Sequence, residues 1–286
     1  MNVLKTGFLL SLLTVLLVFI GHLIGGAQGA TTAFVFAMAV NLLSYWFSDK
    51  LVLAMYRAKP LGESEAPQAY RVVREIATRD RIPMPKLYWI PIDTPNAFAT
   101  GRSPQHAAVA MTRGLLELMN EEELKGVLAH ELSHVKNRDT LVMTIAAALA
   151  GAVMMVARMA EWSLWFSGGR SRNEENRGAA ALQLVVVLLI AILAPLAAML
   201  IQLAISRTRE YGADETGARL AGTPQGLASA LEKLDQASKR LPMLNANPAT
   251  AHLFIVNPLS MGAIAKLFST HPPIEERIRR LRSMRL

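Results

Sequence analysis

Four apolar stretches, residues 8–24, 33–47, 140–157 and 180–205, limit the possible folds more than any other feature of this sequence. Each approaches the length that crosses a bilayer as a helix, although the second and third lie near the lower limit of roughly 17 residues. Within hydrocarbon no water satisfies the peptide groups, so any stretch that crosses must be helical. These stretches explain why 52% of the 286 residues are hydrophobic. The first two are separated by a short, uncharged Gly/Ala/Thr loop, which suits a hairpin of two spans. Ala27-Gln28-Gly29-Ala30 loosely imitates a signal-peptide cleavage site, but a second apolar stretch so close behind favours the hairpin. The third stretch follows polar residues directly and reads equally as a buried core helix, with Arg158 and Glu161 as a surface pair near its end. Tyr45, Trp46, Trp162 and Trp165 stand at stretch ends, as interfacial aromatics do.

If all four stretches cross, Lys5, Lys50, Arg57, Lys59, Lys136, Arg138, Arg207 and Arg209 share one side. The opposite loops carry Arg170, Arg172 and Arg177, partly offset by Glu174 and Glu175. The positive-inside rule then places both termini of this multi-pass chain, and the residues around Lys136, in the cytoplasm. The formal charge of +8 needs no nucleic acid to explain it, because basic residues beside membrane segments face anionic lipid. No basic stripe interleaved with aromatics argues for nucleic-acid binding. The chain has no cysteine, which excludes disulfides and cysteine metal ligands.

The polar remainder reads as one split domain. Residues 1–48 form the first hairpin, 49–138 the first half of the domain, 139–205 a second hydrophobic hairpin and 206–286 the second half. In the first half a helical pattern around Tyr70–Thr78 precedes strand candidates at Lys86–Ile90, Asn96–Thr100 and His106–Met111. The second half is mostly helical, with apolar periodicity over 219–238 and Ile274–Leu281. The expected class is α+β: a mainly helical domain with a small sheet, joined to four hydrophobic helices.

Residues 130–134 read His-Glu-Leu-Ser-His. On a helix, positions i and i+4 share a face, so His130 and His134 can offer two imidazole nitrogens to one zinc ion. Glu131 falls beside such an ion and can take a proton from water that the metal has acidified. The surroundings favour a helix: Asn120 and Glu123 are placed for a capping box, and Leu124, Val127, Leu128, Leu132 and Val135 form an apolar stripe. Two nitrogen ligands, a base and an open coordination position are what amide hydrolysis requires. An intact Glu131 also argues against a pure binding scaffold or chaperone, which needs no base at a metal.

A third ligand must come from elsewhere. Asn137 and Thr140 stand where the extended metzincin pattern needs Gly and His, which excludes that type. Downstream, Glu210 and Asp214 lie four apart just after the fourth apolar stretch. Glu210 suits a His/His/Glu site, with Asp214 holding a ligand ring N–H. They read equally as exposed carboxylates balancing Arg207 and Arg209.

His130–Thr140, Ser206–Asp214, Asn96–Gly101 and His271–Arg277 together resemble the HtpX-type integral-membrane zinc metalloproteases, relatives of the Ste24-type prenyl-protein proteases. The resemblance covers nearly the whole chain. It implies a zinc endopeptidase of the bacterial inner membrane, one Zn²⁺ per chain, facing the cytosol and degrading damaged or misfolded membrane proteins and unfolded polypeptides. By position it makes His130, His134 and Glu210 the zinc ligands and Glu131 the catalytic base. It also implies that Asn96, Ala97, Phe98 and Ala99 are an edge strand holding the substrate, that His271 is catalytic and donates to the oxyanion, and that Arg277 supports it. A plain sheet edge, and a helix-start residue before Pro272-Pro273, are the simpler readings of those last motifs. A Ste24-like enzyme processing one lipidated substrate is the alternative; four hydrophobic segments favour the broader quality-control role. His22, His106 and His252 have no partners in these motifs and read as structural.

Overall fold

The computed structural model describes residues 2–147, 149–150, 207–243, 246–247, 249–258 and 272–286. The fourth apolar stretch, most of the second half of the third, the loop between them and His271 lie outside the described residues.

Helix α1 (Asn2–Met55) is two helical arms joined at a kink over Gly25 and Gly26. Asn41 on the second arm donates to Thr14 Oγ1 at 2.8 Å and to the Leu10 carbonyl at 3.3 Å on the first. The arms therefore run back along each other. A Cβ at Gly21 would sit 2.5 Å from the Gly29 carbonyl oxygen, an approach open only to glycine. Among the described residues one helix, Gly25–Met55, is long and apolar enough to cross a membrane. Its Phe34, Val35, Leu42 and Leu43 are exposed, the continuous apolar surface that lipid covers. Its 31 residues rise about 46 Å, well beyond a hydrocarbon core of about 30 Å. The end of the arm accordingly enters the folded domain, where Val52, Leu53 and the following Tyr56 are buried. The four expected spans thus reduce, among the described residues, to this one.

A four-stranded mixed sheet follows: β1 (Lys59–Pro60), β2 (Lys86–Ile90), β3 (Ala97–Thr100) and β4 (Ala108–Thr112), in the order β1-β2-β4-β3. β2 and β4 are parallel; β1 and β3 run antiparallel to their neighbours. β3 is therefore an edge, and β4 is paired on both sides. β1 was not expected from the sequence: it is two residues long, and its proline sits on the opposite edge, where a missing N–H costs no ladder bond. His106, expected in a strand, lies instead in a 3₁₀ turn (Pro104–His106) with its Nδ1 2.9 Å from Ser103 Oγ.

Alternation along the strands builds two cores. Leu87, Ala97, Ala99, Val109 and Met111 face α2 (Pro67–Arg79), α4 (Glu121–Lys136), α5 (Arg207–Ala221) and α6 (Gln225–Arg240). Ile90, Phe98, Ala108 and Ala110 face the end of α1, Met143, Ala147 and Phe254. Residues 139–147 are helical, with Val142, Ile145, Ala146 and Ala147 buried, so the third apolar stretch begins as a core helix. α3 (Arg113–Leu118) leads into α4, and α7 (Ile274–Ser283) ends the chain's regular structure. The periodic 219–238 region is two helices, because Gly222 takes φ +84° and Pro224 follows.

Candidate active site

α4 begins with the capping box its sequence indicated: the Asn120 side chain accepts from Glu123 N–H, and the Glu123 carboxylate accepts from Asn120 N–H. Leu124, Val127, Leu128, Leu132 and Val135 are buried on its inner side. α5 crosses α4 closely. A Cβ at Gly217 would lie 2.9 Å from the main chain of His130, so glycine sets how near α5 comes. That approach brings Glu210, in the first turn of α5, to the two histidines.

His130, His134 and Glu210 converge, their ligand atoms all within 4.8 Å of one another. Glu210 Oε2 is 3.9 Å from His130 Nε2, and Oε1 is 3.7 Å from His134 Nε2. Donors on one tetrahedral zinc with ligands at 2.0–2.1 Å stand about 3.3 Å apart, so each histidine–carboxylate distance would shorten by about half an ångström to share one ion. The donor set, two imidazoles and a carboxylate, also fits zinc, and none of the three is more than 4% exposed. Far from surface carboxylates balancing arginines, Glu210 and Asp214 are both buried.

A carboxylate faces each outer ring nitrogen. His130 Nδ1 lies 3.0 Å from Asp214 Oδ1, and His134 Nδ1 lies 3.4 Å from Asp139 Oδ2. Asp214 is in turn clamped by Arg277, whose Nε and Nη2 donate at 2.9 and 2.7 Å. Arg277 is fully buried, and its Nη1 stands 4.0 Å from Glu210 Oε2. Asp139 falls within the His130–Thr140 run, but nothing in its spacing points to the outer nitrogen of His134. It faces His134 because Arg138, at φ +58°, turns the chain back just after α4. His271 falls outside the described residues.

Burial governs the protonation of these groups. It holds the His130 imidazole down at about 4 despite the Asp214 carboxylate beside its Nδ1, and Arg277 adds to the effect. For His134 burial acts the same way but is outweighed by Asp139, Glu210 and Glu131, which lift it to about 9. Glu131 is pushed up to about 7 by burial, with Glu210 adding and His134 opposing. The Ala99 main chain lowers the Glu131 carboxyl in turn, so the base stands against the edge strand. Asn96, Ala97, Phe98 and Ala99 are all buried there. His252 is buried too, with Nε2 3.0 Å from the Met143 carbonyl, and lies away from the His/His/Glu cluster.

Residues 63–285 match the family model described as Peptidase family M48. The chain is 61% identical to a "Protease HtpX homolog" of Syntrophobacter fumaroxidans, over 98% of both chains. It is 54% identical to one of Pyrococcus furiosus, over 98% of this chain and 95% of that one. The fold also resembles the crystal structure of S. mikatae Ste24p, at TM-score 0.50 and 19% identity, covering 98% of this chain and 64% of the other.

Proposed function

The chain belongs to peptidase family M48, and from that premise we propose that it is a zinc-dependent endopeptidase of the inner membrane that cuts misfolded or damaged membrane proteins at the cytoplasmic face. The observation that carries this reading is the convergence of His130, His134 and Glu210, one residue from Glu131 and beside an edge strand. An ion held by those three residues would supply Lewis acidity, lowering the pKa of water and polarising the scissile carbonyl.

Glu131 accepts the proton of the attacking water and hands it to the departing amine nitrogen. Its place next to the ligand His130, and not on the ion, leaves the carboxylate free for that transfer. Asp214 and Asp139 orient the imidazoles, and Arg277 fixes Asp214. β3 offers main-chain groups to an extended peptide, which positions any sequence of sufficient reach. His271 donating to the oxyanion remains part of the proposal.

The site is tied to the membrane. α1 runs from an exposed apolar arm straight into the core behind β3, and α4 is followed within three residues by the buried 139–147 helix. Cleavage therefore falls on loops close to the bilayer. The test places one cleavable sequence in a cytoplasmic and in a periplasmic loop of the same reporter. Fragments from the cytoplasmic copy alone are expected; efficient cutting of the periplasmic copy in intact cells refutes the topology and the substrate class with it.

A further inference from the structure

The outer edge of β3 is already occupied. Main-chain groups of alternate residues point to opposite sides of a strand. The Asn96 carbonyl accepts inward from Thr112 N–H, so the groups of Ala97 and Ala99 face outward. The Ala97 carbonyl accepts from Ile255 N–H at 3.0 Å. The Asn96 side chain brackets the next residue, donating to the Val256 carbonyl at 2.8 Å and accepting from its N–H at 3.3 Å. Ile255 faces Ala97 and Val256 faces Asn96, so this segment runs antiparallel to β3, as a strand added to a sheet edge does.

Two further anchors tie it to the site. Arg277 Nη1 donates to the Ile255 carbonyl at 2.9 Å while the same guanidinium grips Asp214. The Phe254 ring lies 5.1 Å from Phe98 and 5.0 Å from Tyr56, edge-on to both. Every group that an incoming peptide would use at Asn96 and Ala97 is thus taken by the chain itself.

Resting on the peptidase reading above, we propose that residues 254–256, which follow the 3₁₀ turn Ala251–Leu253, are an internal occupant of the peptide-binding edge, displaced by an extended apolar segment of the substrate. The occupant defines the ligand class. Leu253, Phe254, Ile255 and Val256 are consecutive, apolar and buried. The bonds they give up are main-chain and carboxamide bonds that any peptide remakes, so the exchange is decided by side chains. An apolar segment restores the buried contact with Phe98 and Tyr56; a charged one leaves that surface uncovered and loses. The requirement selects extended apolar runs, which folded proteins hide and misfolded ones expose. Arg277 links displacement to the metal-ligand cluster, because the guanidinium that holds the Ile255 carbonyl is the one that grips Asp214.

The test uses the full-length, zinc-loaded Glu131→Gln protein in detergent, so that bound peptide persists. Hydrogen exchange is read at the Ile255 and Val256 amides with a saturating peptide containing Leu-Phe-Ile-Val, and with one carrying Glu and Lys in its place. The apolar peptide is expected to bind and to raise exchange there about tenfold or more, and the charged one to leave it unchanged. Bound apolar peptide with both amides still protected, or no binding of that peptide, overturns the proposal. In the protein with Glu131 intact, Phe254→Ala is expected to lower KM for the apolar peptide several-fold with kcat little changed; an unchanged or raised KM counts against the proposal. If the unmutated zinc-loaded protein cleaves no peptide at all, it is the peptidase reading that fails instead.

Discussion

His130 meets two demands at once: its Nε2 faces Glu210, and its Nδ1 faces Asp214, itself clamped by Arg277. Glu131, the next residue, ligates nothing. Glu131→Gln should therefore keep stoichiometric zinc while turnover falls about 10²- to 10⁴-fold; near-normal turnover would remove it as the base. Asp214→Asn and Asp139→Asn should each weaken zinc affinity about 10- to 100-fold, since each holds the outer nitrogen of a ligand imidazole. Competition with a chromophoric chelator measures this, and unaltered affinity in either variant would make that aspartate a bystander. The His-Glu-Leu-Ser-His run was legible because a helix turns spacing into geometry. Asp139 was not, because its position depends on the left-handed turn at Arg138, an unusual conformation for arginine that sequence does not announce.

At the level of elements, the site depends on how closely α5 crosses α4. Gly217→Val would drive a branched side chain into the His130 backbone and push Glu210 outward. Misplacement of about 1 Å is worth about 10²-fold in rate, so the variant should lose most activity and zinc while staying folded by circular dichroism. Retained activity would show that the helices tolerate more distance than the packing implies. α4 itself is fixed at its start by Glu123. Burial disfavours that carboxylate's charge, but Lys233, Ser229 and the Asn120 N–H outweigh it and hold it below its usual 4.5. A depressed carboxyl stabilises the fold above its unfolded pKa, and the contribution is lost as pH falls through the folded value. Thermal melts should drop as pH falls below about 4.5, and Glu123→Gln should start lower and respond less to acid; an identical acid response would show the pair contributes nothing. The boundaries of α2, β2 and α4 were readable from proline, capping and alternation. The break at Gly222 was written in Gly222-Thr223-Pro224, yet apolar periodicity running across it masked the signal.

For the molecule as a whole, hydropathy identified apolar stretches but not their surroundings. The second stretch became an exposed arm, whereas the third begins as a core helix under the sheet, since Val142 and Ile145 meet protein where Phe34 and Val35 are exposed. Composition cannot separate these cases, because lipid and protein interior are equally apolar. The pairing of residues 254–256 with β3 was equally hidden, being a contact between positions about 160 residues apart. What joins all scales is the claim that one bound ion in the His130–His134–Glu210 cluster makes this chain a peptidase. The most direct test measures zinc content and cleavage of a membrane-protein substrate by the purified protein, before chelation, after it, and after zinc is restored. One zinc per chain is expected, with cleavage that disappears and returns with it, and Glu210→Ala should bind no zinc and cut nothing. Cleavage persisting in zinc-free protein, or stoichiometric zinc in Glu210→Ala, would contradict it.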